Sequence, residues 1–237
     1  MKKLLTLILM GLFFIPATYA QKGLQLGVNY MYLSSNIVYQ NVWGVGEIYD
    51  YKLTNKSSYG IDVGYNFTEK MGIYTGFWMT QSGQDYTDDY DGYNWERQIS
   101  LNYNIIPVMM RFSNSLNRIN FLGGVGVSFA FLSKAEQKWT RDGNDVTIYP
   151  EEGDYNIADP DVTDRFESSD IFLNIELGAR IFILDELYVD ATFFGAYGVK
   201  DINAADWQTP NKDGDYNGSH NAFGGIKMGV AYILFGE

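Results

Sequence analysis

Residues 171–183 alternate between apolar and other side chains without a break, and this pattern restricts the fold more than any other feature of the chain. Ile, Leu or Ala occupies every second position from Ile171 to Ile183, and Asn174, Glu176 and Arg180 are among the residues between them. Successive side chains of a β-strand point to opposite faces, so this period of two predicts a strand with one apolar and one polar face. No stretch after residue 20 shows a sustained helical period, and the chain is predicted to be all-β.

Similar segments recur along the chain, and the connections between them alternate in length. Eight strands are predicted at 23–38, 58–67, 71–82, 98–112, 119–132, 170–183, 187–199 and 221–235. The connections 68–70, 113–118 and 184–186 are short, whereas 39–57, 83–97, 133–169 and 200–220 are long and polar. Alternate connections of an up-and-down sheet lie at opposite ends. The pattern therefore predicts an eight-stranded antiparallel up-and-down barrel with tight turns at one end and large loops at the other.

The residues on the two faces of each strand indicate whether the apolar side chains point into the barrel or out of it. A soluble barrel of the lipocalin type turns apolar residues inward, whereas a membrane barrel turns them outward around a polar interior. Charged residues such as Asp62, Glu176 and Lys227 share faces with Gly and Asn, while the other faces, for example from Phe121 to Phe131, are almost uniformly apolar. We therefore expect a transmembrane β-barrel with short periplasmic turns and long extracellular loops. A soluble sandwich with a solvent-facing polar side is the alternative.

The N-terminus and the charge balance bear on location and partners. Residues 1–20 carry Lys2 and Lys3, an apolar run from Leu4 to Ile15 and a terminal Ala20, which predicts a secretory signal peptide and leaves 21–237 as the barrel domain. The net charge of −12 becomes −14 without the two lysines, which disfavours nucleic acid as a partner. We expect export to the bacterial outer membrane. The expected partners are outer-membrane lipid, the barrel assembly machinery, and an extracellular or secretion-system protein.

The short turns predict the register of two strand pairs. A turn at 184–186 places Arg180 opposite Asp190 on the polar face, where opposite charges stabilise neighbouring strands. A turn at 68–70 places Gly64 beside Tyr74, so that an inward aromatic ring can lie over a glycine. The same turn places Gly60 beside Trp78. An eight-stranded barrel is just wide enough for side chains to fill it, so we expect a plug of hydrogen-bonded side chains and a few waters. The other charges expected to point inward and pair are Asp62, Arg111, Glu176 and Lys227.

Three segments resemble a known family. The sequence YNIIPV from Tyr103 to Val108, the glycine-rich segment 123–132 and the closing segment 223–236 are similar to the PorT-like small outer-membrane β-barrel proteins. The resemblance implies a barrel scaffold without catalytic residues, and some members of that family assist protein secretion. Pro107 cannot donate a ladder hydrogen bond, and the apolar phase of the segment shifts across it. This predicts a β-bulge with Ile99, Leu101, Tyr103 and Ile105 facing outward; the alternative is that the strand ends early.

Two groups of residues are candidates for chemistry. Asp213, Asp215 and Asn217 match the start of a calcium-binding D-x-D-x-N-G loop, although Gly224 stands where a bidentate Glu is needed. Calcium in the extracellular loops is therefore the metal hypothesis, and no other cofactor is predicted; alternatively, the acidic loops only keep the surface soluble. The single histidine, His220, adjoins Ser219, but adjacent strand residues point to opposite faces and make a poor catalytic pair.

We therefore expect a non-enzymatic integral outer-membrane protein with a structural or surface-binding role that extends to assisting secretion. The alternatives are a narrow small-solute channel and an outer-membrane enzyme that modifies lipid A.

Overall fold

The computed structural model describes residues 22–38, 50–116, 118–146, 160–210 and 214–236. The predicted signal peptide, residues 1–20, lies outside the described residues. The described ranges contain two short 3-10 helices, Thr163–Arg165 and Ala205–Trp207, and no helix long and apolar enough to cross a membrane. The strands of these ranges are β1 (Gly23–Val38), β2 (Asp50–Lys52), β3 (Thr54–Asn66), β4 (Met71–Tyr90), β5 (Tyr93–Leu116), β6 (Ile119–Arg141), β7 (Asn144–Asp145), β8 (Ser169–Phe182), β9 (Leu187–Gly198) and β10 (His220–Gly236).

Eight of these strands close into a ring. Each of β1, β3, β4, β5, β6, β8, β9 and β10 pairs antiparallel with the next, and β10 pairs back onto β1 from Gly23 and Gly236 to Val38 and His220. Closure removes the free edges that an open sheet would expose. The short strands β2 and β7 extend the sheet beside β4 and β6. The predicted eight-stranded antiparallel barrel is confirmed.

The faces of the ring are turned as the sequence predicts for a membrane barrel. Apolar side chains cover the outside, with Val28 60%, Leu177 61% and Phe193 71% exposed. Charged side chains point inward, and Glu176 and Lys227 are only 1% and 3% exposed. A band of apolar residues around a partly polar interior is the arrangement that a strand-built membrane protein requires.

Both predicted registers are confirmed. Arg180 pairs with Asp190 between β8 and β9, and Gly64 pairs with Tyr74 between β3 and β4. A Cβ atom on Gly64 would lie 2.3 Å from the ring of Tyr74, so any larger residue would displace that ring. The predicted pair of Gly60 with Trp78 also forms. The glycines therefore give large aromatic rings room to lie across the narrow lumen.

The prediction for the segment around Pro107 is wrong. Inward and outward side chains alternate without interruption through β5, and Arg111 and Pro107 both face inward. The pairing of β4 with β5 skips the residues opposite Pro107, but its register is the same on both sides of the gap. The register shift lies instead between Asn102 and Tyr103, in the pairing of β5 with β6. Toward the long loops, the inner face of β5 is apolar. Four side chains that were predicted to face lipid lie inside the barrel and are at most 2% exposed: Ile99, Leu101, Tyr103 and Ile105.

The predicted loop 83–97 is mostly strand. β4 and β5 continue to a two-residue turn at Asp91 and Gly92, whose φ angles are 53° and 76°. Asp142 and Gly143 repeat this geometry between β6 and β7, with φ angles of 50° and 76°. Asp-Gly is favoured in such turns because both positions need positive φ. β4, β5 and β6 therefore extend as a sheet on the side opposite the short turns.

Candidate functional site

Four charged side chains meet near the middle of the lumen. The guanidinium of Arg111 donates from Nε to Glu176 Oε1 and from Nη2 to Glu176 Oε2, the latter at 3.2 Å. Lys227 Nζ donates to Asp62 Oδ2 at 3.0 Å and lies 4.0 Å from Glu176 Oε2. Asp62 also accepts a 2.7 Å hydrogen bond from Trp78 Nε1. The two positive and two negative groups confirm the predicted inward pairing, and this cluster is called the central cluster below.

A second charged layer lies nearer the short turns. Arg180 donates from Nε and Nη2 to the two carboxylate oxygens of Asp190 at 2.8 and 3.0 Å. Its guanidinium carbon lies 3.7 Å from the ring centre of Tyr188. Gln25 Oε1 receives hydrogen bonds from Tyr188 and, at 3.0 Å, from Tyr74. This layer links β1, β4, β8 and β9 through the amide oxygen of Gln25 and the ion pair of Arg180 with Asp190.

A cavity of about 20 Å³ touches both layers. Its lining includes Gln25 and Tyr74 from the second charged layer, and Asp62 and Lys227 from the central cluster. A volume of this size accommodates about one water molecule. The space is far too small for a solute such as a sugar or an amino acid.

The half of the lumen nearer the long loops is more apolar than predicted. The rings of Phe172, Phe194 and Phe223 pack together, with centroids 5.1 Å and 6.3 Å from that of Phe223. Beside them, Asn221 Nδ2 donates to the hydroxyl of Tyr103 at 3.0 Å. The three Phe rings lie on β8, β9 and β10, and the inner face of β5, which the sequence pattern misassigned, adds Ile99, Leu101 and Ile105 to the same apolar core.

Two segments outside the strands cover the extracellular end. Val162, Phe166 and Ile202 are at most 5% exposed and join the same apolar core as the lumen residues. Val162 N donates to Ala135 O at 3.0 Å, and Glu167 N donates to Ile202 O at 2.8 Å. These residues could not be identified from the sequence, where the only signal is a few scattered apolar side chains within each polar loop.

Asp201 holds the longer covering segment in place. Its carboxylate accepts hydrogen bonds from the backbone N–H groups of Asn203 and Ser219, both at 3.0 Å. The hydroxyl of Tyr216 and the Gln208 amide, the latter at 3.3 Å, donate to the other oxygen. Burial raises the pKa of Tyr216 to about 12, and its hydrogen bond to the Asp201 carboxylate adds to the effect.

The predicted metal residues lie on this same segment. Asp213 lies outside the described residues, and Asp215 and Asn217 are exposed on either side of Tyr216. Within the described ranges, no group of three or more His, Asp or Glu side chains is placed to hold a metal ion. Since Asp213 is not among those residues, calcium binding stays a prediction.

Ser219 and His220 diverge as their sequence spacing predicts. Ser219 is fully buried and accepts a 3.0 Å hydrogen bond from Asn203 Nδ2. His220 stacks on Tyr197, with ring centroids 5.7 Å apart, where Tyr197 is 41% exposed on the outer wall. The two side chains therefore do not form a nucleophile and base pair in this arrangement.

Aromatic and arginine side chains share the inner face of the extended sheet of β4, β5 and β6. Trp95 pairs with Arg141 across β5 and β6, and its ring packs edge-on against Trp139 at 6.4 Å. The guanidinium carbon of Arg141 lies 4.8 Å from the ring centre of Tyr93, which is 43% exposed. Rings and guanidinium groups of this kind are enriched where proteins bind one another. This group, Tyr93, Trp95, Trp139 and Arg141, is called the aromatic face below.

The sequence matches one family model over nearly its whole length. The model describes an outer membrane protein beta-barrel domain and matches residues 5–233. The chain belongs to this outer membrane β-barrel family. The apolar outer band and the inward charges are therefore those of a bacterial outer-membrane protein. No curated protein sequence matches the chain significantly.

Three solved structures of outer-membrane proteins are similar to this member of the β-barrel family. Neisserial surface protein A is 9% identical with a TM-score of 0.47 and 90% and 99% of the two chains covered. OprG of Pseudomonas aeruginosa is 11% identical with a TM-score of 0.43, covering 91% and 99%. The outer membrane protease OmpT of Escherichia coli is 11% identical with a TM-score of 0.36, covering 92% and 99%. At these identities and TM-scores, neither an activity nor any other property is inferred from the likenesses.

Proposed function

We propose that this protein is a non-enzymatic outer-membrane barrel that acts through its extracellular surface and does not conduct solutes. The observation that carries the proposal is the filled lumen: two ion-paired layers, an aromatic layer and the covering residues Val162 and Ile202 follow one another along the barrel. A conducting pore needs a continuous wetted path, and buried ion pairs joined by hydrogen bonds resist hydration. The strands β4, β5 and β6 meanwhile extend outward with the aromatic face on them.

Planar-bilayer recording tests the non-conducting part. We expect purified, refolded protein to give no stable current steps above the leak of the bare bilayer. An open porin in the same bilayer serves as the positive control. Reproducible unitary steps that depend on the amount of protein would refute the proposal and favour the narrow-channel alternative.

The aromatic face is our candidate for the binding surface. Tyr93 and Arg141 are its exposed members, and they lie next to the Asp91–Gly92 and Asp142–Gly143 turns.

The predicted calcium site of Asp213, Asp215 and Asn217 would lie on the same extracellular side. A fall in calcium affinity of the double variant Asp215→Asn, Asn217→Ala would support that site.

The resemblance of Tyr103–Val108 to the PorT-like family supports a role in protein secretion. Tyr103 and Pro107 of this segment both face the lumen, where Tyr103 bonds Asn221. We infer that the barrel is a scaffold that presents the aromatic face to a secretion-system protein. The measurement is the amount of secreted protein in the medium of a deletion strain complemented with different variants.

The matched variants come from opposite faces of the extended sheet of β4, β5 and β6. We expect Tyr93→Ser with Arg141→Ser to reduce secretion severalfold while the barrel stays in the outer membrane. The control, Lys134→Ser with Lys138→Ser, removes exposed charges from the outer face of β6 in the same sheet. Equal secretion by both variants would reject the aromatic face as the site of action.

The lipid A-modifying alternative gains no support from the Ser219–His220 pair. The hydroxyl of Ser219 and the ring of His220 lie on opposite sides of the chain, and the Ser219 hydroxyl is buried. Lipid A turnover that disappears in His220→Ala would overturn the non-enzymatic proposal.

A further inference from the structure

Two opposite charges flank Trp95 of the aromatic face. Asp88 of β4 pairs in register with Trp95 of β5, and Trp95 pairs with Arg141 of β6. Paired residues of neighbouring strands share a face, so the three side chains lie side by side on the inner face of the extended sheet. Asp88 is half-buried, and Arg141 is exposed. These three residues are called the charged row below.

Neither charge of the row is paired within the protein. The Asp88 carboxylate and the Arg141 guanidinium form no hydrogen bond or ion pair with any residue that the structure describes. The outer face of the same sheet differs, because Lys134 Nζ lies 2.6 Å from Glu136 Oε1 there. Asp88 and Arg141 are therefore available for contacts with another molecule.

The position of Trp95 explains why the two charges stay apart. Antiparallel strands are about 4.8 Å apart, so β4 and β6 are separated by about 10 Å with β5 between them. An ion pair needs a nitrogen–oxygen distance of about 4 Å or less. The guanidinium carbon of Arg141 lies 5.6 Å from the ring centre of Trp95 and 4.8 Å from that of Tyr93, and these contacts hold it on its own side.

Other polar and charged groups near the row are already engaged. Asn94 donates from its backbone N to Asp142 Oδ1 at 2.9 Å and from Nδ2 to Asp89 Oδ1 at 3.1 Å. Arg97 is 4% exposed, and its guanidinium carbon lies 5.1 Å from the ring centre of Trp139. A partner that approaches the inner face of the sheet therefore meets Asp88 and Arg141 as available charges.

We propose that the charged row binds a protein partner through a basic and an acidic side chain that stand about 10 Å apart on the partner's surface. The basic group pairs with Asp88. The acidic group pairs with Arg141, whose planar guanidinium binds a carboxylate through two N–H groups. The inference rests on the proposed function of the aromatic face and names what that face recognises. A partner with the two charges in reverse order meets like charges, so the row also fixes the orientation of binding.

Charge reversal in the complemented deletion strain tests this recognition. We expect Asp88→Arg and Arg141→Asp each to reduce secretion severalfold. The double variant Asp88→Arg, Arg141→Asp keeps the net charge but reverses the order of the row, and we expect it to secrete no better than the single variants. The control, Lys134→Glu with Glu136→Lys, exchanges the members of a pair on the outer face and should leave secretion unchanged.

Two outcomes of the secretion assay would overturn the proposal. Recovery of secretion in the double variant would show that only the net charge matters or that Asp88 and Arg141 pair with each other. Wild-type secretion by all three charge variants would show that the row recognises nothing. The proposed function survives the second outcome if Tyr93→Ser with Arg141→Ser still reduces secretion, and it fails if that variant also secretes normally. Gels of unheated sample show that each barrel is folded.

A defined probe tests the wild-type row without secretion. ω-Aminooctanoate carries an ammonium and a carboxylate at the two ends of a chain that spans about 10 Å, the width of the row. We expect it to shift the NMR signals of Trp95 Nε1–H and Arg141 Nε–H of the full barrel in nanodiscs. Suberate and diaminooctane, which carry two like charges on a chain of the same length, should shift them severalfold less. An equal response to all three probes, or no response to ω-aminooctanoate, would overturn the proposal.

Discussion

Removing the charge of Glu176 should destabilise the barrel far more than removing an exposed carboxylate. The Glu176 side chain is fully buried and contacts Arg111 through two hydrogen bonds and Lys227 at 4.0 Å. Glu176→Gln leaves the two cations of the central cluster, Arg111 and Lys227, facing the single carboxylate of Asp62. Breaking a buried ion pair by neutralising one partner costs about 3–5 kcal/mol, because the remaining charge is neither solvated nor paired. We expect a loss of that size in the free energy of unfolding.

The control is an ion pair of similar geometry at the surface. Glu96 lies 2.6 Å from Lys52 on the extended sheet, with its side chain 32% exposed. Solvent screens such pairs, which are worth about 0–1 kcal/mol. Glu96→Gln should therefore change the free energy of unfolding by less than about 1 kcal/mol, although the two mutations are chemically identical.

The assay is reversible urea unfolding in phospholipid vesicles, followed by Trp fluorescence and by the mobility of unheated protein on gels. Trp78 reports on the central cluster directly because its Nε1 donates to Asp62. The double variant Glu176→Gln, Arg111→Gln leaves Lys227 paired with Asp62 and the central cluster neutral. We expect it to lose less stability than the two single variants together, by about 0.5–3 kcal/mol.

Two results would refute this reasoning. A cost below about 1 kcal/mol for Glu176→Gln would mean that water reaches the cluster and screens it. Strict additivity in the double variant would mean that Arg111 and Glu176 do not interact as the geometry indicates. Either result would also reopen the question of a wetted lumen.

Two further predictions concern other parts of the barrel. Gly64→Ala should destabilise by about 1–3 kcal/mol in the same urea assay, because its Cβ would lie 2.3 Å from the Tyr74 ring; an unchanged midpoint would contradict the close packing. Tyr216 should titrate near pH 12, measured as the absorbance difference at 295 nm between wild type and Tyr216→Phe. Because its folded pKa lies above the usual value near 10, the stabilising contact with Asp201 is complete below pH 10 and is lost as the pH rises from about 10 through 12. A midpoint at 10 would show that the contact is not formed in solution.

The local pattern of the sequence was sufficient for the barrel and for contacts close to a turn. The period of two fixes which side chains share a face, and a short turn fixes which residues stand opposite each other. Arg180 and Asp190 are ten residues apart along the chain and could be paired from the turn alone. The positions of Gly64 and Tyr74 followed in the same way.

The same pattern was not sufficient where local cues conflicted. Pro107 suggested a bulge, but toward the long loops β5 turns apolar residues inward, where they join one apolar core with Val162 and Ile202. The acidic composition of 83–97 suggested a loop, although the Asp91–Gly92 dipeptide carries the signal for a tight hairpin turn. The loop was therefore predicted from composition, although the Asp-Gly turn signal is the more specific of the two.

Alternation and turn spacing alone predict an eight-stranded outer-membrane barrel with charged residues inside it. Which charges meet depends on the closed fold, because Lys227 and Asp62 are 165 residues apart and become neighbours through closure of β10 onto β1. The closed fold likewise decided that scattered apolar residues such as Val162 and Ile202 cover the mouth. The physical reason is that alternation and turns act over a few residues, whereas the pairing of buried groups depends on contacts across the closed ring.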